Sequence, residues 1–240
     1  MWIEKLKFAL AMTLWPLAFL FWFYVMVVLY AGSGKISMIA LFYFIVLWVI
    51  IVTSFFMTVF SPPIACKEVI DLNDQAGYCD YCEFRKPKRW HHCKRCNTCI
   101  HRMDHHCPIL QICIHQGNHK FFILFLAWPI QMSAFAVIVG YEELWKTIKS
   151  SITGEKIPDN EHMMGTGVSN AIMTAFASIY LLCQQIPNLL RNQTLIEESR
   201  DNFDYDENDW YKNFKSVMGP FPRCLFPIRE EWYPKQVKKD

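Results

Sequence analysis

The segment Cys79-x2-Cys82-x9-His92-Cys93-x2-Cys96-x2-Cys99-x4-Asp104-His105-His106-Cys107-x5-Cys113 holds seven of the ten cysteines and five of the eight histidines in the chain. C-x2-C spacing lets two thiolates grip one ion from a tight turn. Two such pairs, Cys79/Cys82 and Cys93/Cys96, are explicit, and Cys99 extends the second. Two tetrahedral zinc sites need eight ligands. If His92 and His106 each supply one, the cysteines supply six, and one thiol of the seven stays without a metal. Beside Asp-His, such a thiol is a candidate nucleophile. Spacing alone leaves the partition open, because a four-cysteine ribbon with spare thiols fits the same pairs.

The rest of the chain is apolar. Of 240 residues 53% are hydrophobic and 16% aromatic, with a formal charge of only +2. Four stretches lack Asp, Glu, Lys and Arg: Phe8–Ala31, Ser37–Phe60, Phe121–Tyr141 and Val168–Leu190. Each exceeds the roughly 20 residues a helix needs to cross the hydrocarbon core. Membrane strands would be shorter and alternating. A cleaved signal peptide is the alternative for the first stretch, with Lys5 and Lys7 before it, but its apolar run is longer than the about 7–15 residues of a signal core. The fold expected is an all-α integral membrane protein: four transmembrane helices, with a cytosolic cysteine-rich domain binding two zinc ions between helices two and three.

Twenty of the 24 Lys and Arg residues lie before the first span, between spans two and three, or after the fourth; the other four lie in the two remaining loops. The positive-inside tendency therefore puts both termini and the cysteine segment in the cytosol. The loop Glu142–Thr166, with five acidic residues, falls on the opposite side. Reducing conditions in the cytosol favour metal-binding or catalytic cysteines over a disulfide framework.

The chain divides into a first transmembrane hairpin (1–60), a cytosolic zinc-binding domain (61–120), a second hairpin (121–190) and a cytosolic tail (191–240). Proline disfavours helix in the residue before it, so Ser61-Pro62-Pro63 ends the second helix. Aromatics recur through the tail, from Phe203 and Tyr205 to Trp232 and Tyr233, which opposes disorder. The tail is expected to fold back on the helix ends or to lie at headgroup level. The cysteine segment has few long apolar residues, so metal would supply its folding free energy, of order 10 kcal/mol per site.

Cys107 follows Asp104-His105-His106 directly. A neutral thiol with pKa near 8.5 is only a few per cent ionised in the cytosol; an imidazole can take its proton while a carboxylate fixes the tautomer. Alternate residues of an irregular loop point opposite ways, so one of His105 and His106 can face the thiol while the other binds metal. A site of three thiolates and one histidine carries net charge −1 with its zinc, so the metals do not activate Cys107. The positive field comes from Arg85, Lys86, Lys88, Arg89, Lys94, Arg95 and Arg102. Most of these answer to topology and anionic lipid, and a few could hold phosphates of an anionic cosubstrate.

The array ending in Asp104-His105-His106-Cys107, followed by Asn118 and Phe122, closely resembles the cysteine-rich domain of the DHHC protein S-acyltransferases, or palmitoyltransferases. The four-span layout and parts of the tail share the resemblance. It implies one zinc on Cys79, Cys82, His92 and Cys99 and a second on Cys93, Cys96, His106 and Cys113. It further implies Cys107 as nucleophile, His105 as general base and Asp104 as its orienting partner. The activity implied moves a long-chain fatty acyl group, such as palmitoyl, from acyl-CoA to protein cysteines through an acyl-enzyme. Membrane lipid and cytosolic or membrane proteins bearing juxtamembrane cysteines are the implied partners, with no nucleic acid. An endomembrane location, Golgi or endoplasmic reticulum, is expected.

Several positions depart from the family pattern. Ile109 stands where tryptophan is usual, Gln111 and Ile112 replace asparagines, His115 replaces a glycine, and Thr194-Leu195-Ile196-Glu197 stands for Thr-Thr-x-Glu. The second threonine is thought to steady the aspartate, and the Leu195 side chain cannot. The alternative reading is a zinc-stabilised membrane adaptor with the same fold and little or no catalysis. A metal transporter would place ionisable groups inside the spans, and here Asn170, Gln184, Gln185 and Asn188 are read as helix-packing contacts. His91, His101, His115 and His119 are read as solvated loop residues, with His101 available to line the site. Cys183 is read as buried packing, and Cys66 and Cys224 as ordinary cytosolic thiols open to acylation.

Overall fold

The computed structural model describes residues 2–63 and 75–229. Cys66, Trp232, Tyr233 and the basic C-terminus lie outside those residues. Four long helices dominate. α1, Trp2–Phe23, continues as a π-helical turn over Tyr24–Ala31, and α2 spans Met38–Phe60. α3 spans His119–Thr153 and α4 Asp159–Leu190. All four are long and apolar enough to cross a membrane. The segment 142–166, expected as a loop, is helical except at 154–158. Its charges do not interrupt the helices because they lie beyond the apolar stretches.

Between α2 and α3 the chain forms three two-stranded antiparallel hairpins. β1 (Gln75–Cys79) pairs with β2 (Phe84–Pro87), β3 (Trp90–Cys93) with β4 (Thr98–His101), and β5 (His105–Cys107) with β6 (Ile112–Ile114). The cysteine segment is thus built of hairpins rather than irregular loop. Glu83, Asn97 and Gln111 adopt positive φ in the three hairpin turns. After α4 come the single-turn helix α5 (Leu195–Glu198) and α6 (Trp210–Met218).

Two compact units emerge. One comprises Met12–Thr53 and Leu124–Cys183, the apolar bulk of the four helices. Glycines let its helices approach closely: a Cβ on Gly140 would lie 2.2 Å from the Tyr30 hydroxyl, and one on Gly165 would lie 2.1 Å from Thr147 Oγ1. Small residues at such crossings are the usual device of membrane helix packing. Trp48 Nε1 donates to the Phe19 carbonyl at 3.2 Å, and Lys35 pairs with the buried Glu143. Leu14, Phe42, Ile138 and Phe176 stay exposed, as lipid-facing side chains would. Cys183 is also exposed, not buried packing.

The other unit comprises Met1–Ala11, Ser54–Ile123 and Gln184–Asp240, and carries the hairpins and tail. Two of its buried clusters are small and lie among the cysteines: Cys79, Trp90 and Cys99 in one, Cys93, Ile100, Met103 and Cys113 in another. The tail packs within this unit. Asn213 Nδ2 donates to the Leu190 carbonyl at 2.9 Å, and Lys120 Nζ donates to the carbonyls of Arg223 and Ile228 at 3.0 Å each. Cys224 is buried rather than an accessible thiol.

Candidate functional site

Strand alternation sorts the metal-binding side chains. Neighbouring residues of a strand point to opposite faces, so His92 and Cys93 on β3 serve different groups. His92 sits opposite Cys99 across the β3–β4 ladder, and His106 sits opposite Cys113 across β5–β6. Cys79, Cys82, His92 and Cys99 gather in one cluster, and Cys93, Cys96, His106 and Cys113 in a second. His92 Nδ1 lies 3.6, 3.3 and 3.8 Å from the sulfurs of Cys79, Cys82 and Cys99. His106 Nδ1 lies 3.6, 3.5 and 3.5 Å from those of Cys93, Cys96 and Cys113. In a tetrahedral zinc site, ligand atoms stand about 3.5–3.8 Å apart. Both donor sets therefore fit zinc. In the second group hydrogen bonds from Cys113 and Cys96 push the Cys93 thiol pKa down, while the same contacts push Cys113 up. A dication would replace the protons those sulfurs share.

The same alternation separates His105 and Cys107 from His106. The two flanking residues share one face of β5, away from the second cluster, and Cys107 belongs to neither group. Asp104 is fully buried. Its Oδ2 accepts from His105 Nδ1 at 2.6 Å and from Gln185 Nε2 at 2.9 Å; its Oδ1 accepts from the Leu195 main-chain N–H at 2.9 Å. Burial raises the Asp104 pKa, but the bond from His105 leads the effects that outweigh it and leave it well below the usual carboxylate range. Burial lowers His105; its bonds to Asp104 and Cys107 prevail and push it up to about 9. Burial raises the Cys107 thiol, yet the His105 bond and the N–H groups of Leu110 and Ile109 bring it down. These effects shift the balance from a neutral thiol toward a thiolate–imidazolium pair.

Leu195 thus does through its backbone what its side chain cannot. Thr194 and Glu197 form a capping box: Thr194 Oγ1 accepts from the Glu197 N–H, and Glu197 Oε2 from the Thr194 N–H. The next residue, Leu195, has an N–H that the helix itself does not use, since the first helical donors lack intrahelical partners, and it donates to Asp104. Glu197 also receives both Arg89 Nε and Nη2 at 2.7 Å. Arg89 stacks 4.1 Å over Tyr205.

Other expectations change. Arg89 and Arg102, named above for the positive field, are engaged inside the protein with Glu197 and Asn192. Arg102 Nη2 donates to Asn192 Oδ1 at 3.1 Å, and burial, then Arg89, lower its pKa to about 9. His115 and His119 are buried, not solvated: His115 N–H donates to Asn118 Oδ1, and His119 Nε2 bonds Gln185 Oε1 at 2.8 Å. His101 packs against Trp90, with ring centroids 5.5 Å apart. Gln185 and Asn188 exceed packing roles, since Gln185 reaches Asp104 and Asn188 Nδ2 donates to Glu198 Oε2 at 2.8 Å. Gln185 was legible only as a polar residue in an apolar span, whereas Thr194-x-x-Glu197 is a readable capping signature.

Comparison with known proteins supplies the family. The model of the DHHC palmitoyltransferases matches residues 72–202, more than half of the chain. The chain is 36% identical over 149 residues to the palmitoyltransferase PFA3 of Debaryomyces hansenii, covering 57% of this chain and 34% of that protein. It is 30% identical over 169 residues to the palmitoyltransferase ZDHHC2 of Danio rerio, covering 63% and 43%. It is 28% identical over 220 residues to the probable protein S-acyltransferase 12 of Arabidopsis thaliana, covering 79% and 72%. The chain spans about a third of the length of the Debaryomyces relative and less than half that of the zebrafish one. With the matched model taking in the hairpins, Asp104-His105-His106-Cys107 and the capping box, the chain belongs to the DHHC palmitoyltransferase family.

Proposed function

We propose that the chain is a membrane protein S-acyltransferase that takes a long-chain fatty acyl group from acyl-CoA onto Cys107 and passes it to a protein thiol. The observation that carries this reading is a cysteine outside both metal groups, on the same face of β5 as an imidazole that Asp104 orients at 2.6 Å. In the first half-reaction the Cys107 sulfur attacks the thioester carbonyl, forming an S–C bond while the bond to coenzyme A breaks. His105, which has taken the thiol proton, returns it to the departing coenzyme A sulfur. In the second half-reaction His105 takes the proton of a client thiol, whose sulfur displaces Cys107 from the acyl carbon. Splitting one transfer into two steps is the general gain of covalent catalysis.

Zinc on Cys79, Cys82, His92 and Cys99 and on Cys93, Cys96, His106 and Cys113 would supply folding free energy, of order 10 kcal/mol per site, and take no part in the transfer. The chain's own residues then hold the geometry: β5 sets the His105–Cys107 pairing, and α5 and α4 hold Asp104. We further propose the division 1–60, 61–120, 121–190 and 191–240, with both termini cytosolic, an endomembrane home, and clients bearing juxtamembrane cysteines.

The test is labelled palmitoyl-CoA offered to detergent-purified protein. A hydroxylamine-labile label on the wild type that disappears in Cys107→Ala is expected. A label equal in both, or none in either with two zinc ions bound, would leave the adaptor reading standing.

A further inference from the structure

Behind the Gln185–Asp104 contact runs a chain of buried polar side chains whose other members, His119 and Arg102, have no part in the roles assigned so far. Arg102 Nη1 lies 3.3 Å from His119 Nδ1, His119 Nε2 lies 2.8 Å from Gln185 Oε1, and Gln185 Nε2 lies 2.9 Å from Asp104 Oδ2. Arg102 and Gln185 are 3% exposed, His119 and Asp104 0%. Each of these groups must therefore find its partner within the protein.

The polarity of the chain is fixed by its ends. Arginine has no acceptor, so Nδ1 of His119 carries no proton and accepts. The proton of neutral His119 then sits on Nε2, which must donate, and only the carbonyl end of the Gln185 amide can receive it. The NH2 end is thereby turned toward Asp104, which as a carboxylate can only accept. The amide orientation follows from chemistry rather than from the shape of the side chain.

We propose that Gln185 is a positioning residue for the acyl transfer: locked in one orientation by His119 and Arg102, it holds Asp104 where that carboxylate orients His105. This rests on the reading of Cys107 as the acyl carrier. The main-chain donor of Leu195 holds Oδ1, and Gln185 shares Oδ2 with His105. Together the two donors restrain the carboxylate on both oxygens.

Full-length Gln185→Met fills a similar volume without donor or acceptor. Gln185→His restores one of each, because a neutral imidazole donates from one nitrogen and accepts at the other. Two rates are read on each protein, with zinc content as the measure of folding: single-turnover acylation of Cys107 at saturating palmitoyl-CoA, and alkylation of Cys107 by iodoacetamide. With both zinc ions retained, Gln185→Met is expected to slow acylation about 10- to 100-fold, the worth of one hydrogen bond to a charged acceptor. The half-saturating palmitoyl-CoA concentration stays unchanged, and Gln185→His recovers most of the rate. Acylation by Gln185→Met within about twofold of wild type, or equal losses in Met and His, would overturn the proposal. Should Gln185→Met lose zinc, His119→Phe, which frees the amide to turn over, must slow the same step, and an unchanged rate overturns it. If Cys107→Ala labels like the wild type, the acyl-transfer reading fails separately. Alkylation then decides: slowed by Met and recovered by His upholds the positioning role, and unchanged rates overturn it.

Discussion

Asp104 is where a single side chain carries most chemical consequence. It is a fully buried carboxylate with donors from three elements: β5, α4 and α5. Burial alone would favour its protonated form, and three donors on the charged form reverse that preference. Asp104→Asn keeps the shape but loses the charge and presents its own N–H groups to donors. Acylation of Cys107 is expected to fall by about 100-fold or more, since misorienting the base costs that order in related triads; a single-turnover assay reads it. Leu195 offers a finer test. Proline is tolerated at the first helical position, where its missing N–H has no intrahelical partner, and Thr194 at φ −105° and ψ 161° already has the extended backbone a following proline requires. Leu195→Pro therefore removes the bond to Asp104 with little disturbance to α5. Acylation is expected to drop about 10-fold, while Leu195→Ala remains near wild type.

At the scale of elements, α5 joins the tail to the hairpins. Its capping box fixes the Leu195 N–H, and Glu197 ties the same turn to Arg89, which follows β2. Burial raises the Glu197 pKa, but the Arg89 bond and charge outweigh it and lower the net value. A carboxylate depressed in the folded state gives stability that is complete above its unfolded pKa, about 4.3, and is lost as pH falls through the lower folded value. Glu197→Gln is expected to destabilise the protein by about 3 kcal/mol near neutrality, the cost of leaving Arg89 half-buried and unpaired. The gap in melting temperature between variant and wild type should narrow as pH drops below about 4; a constant gap would mean the charge contributes nothing. The elements were legible in unequal measure. The four spans could be read because lipid demands long uncharged runs, and the thiol pairs because zinc demands fixed spacing. The hairpins could not, because strands of three to five residues leave too little periodicity to see. Gln185, His119 and the Leu195 main chain were hidden for another reason: they act on Asp104 from 15 to 91 residues away in sequence, and only the fold brings them there.

For the whole molecule, two kinds of physics hold two units together. The helical unit keeps its backbone bonds within each helix, which is how a helix satisfies its polar groups in hydrocarbon. The hairpin unit carries the two Cys/His clusters that fit zinc, so metal is expected to supply much of its folding free energy. Chelation of both zinc ions is therefore expected to expose residues 75–114 to proteolysis and abolish acylation, while most of the helical circular dichroism persists. Orientation is the remaining global property, and the cytosolic placement proposed for both termini rests on the basic-residue asymmetry. The chain contains one natural glycosylation acceptor near the tail, Asn192-Gln193-Thr194. Asn192 is occupied: its Oδ1 accepts from Arg102 and Arg89, and its Nδ2 donates to the Tyr205 carbonyl at 3.1 Å. A glycan there would have to be built on a nitrogen that already bonds the Tyr205 carbonyl inside the protein. The proposed cytosolic placement would keep the acceptor away from the glycosylation machinery, so the native protein is expected to show no endoglycosidase-sensitive shift. An Asn-x-Thr acceptor inserted at 154–158, the non-helical turn between α3 and α4, is expected to gain one. The opposite pattern would invert the protein, placing seven clustered thiols in an oxidising compartment where disulfides, not zinc, would claim them.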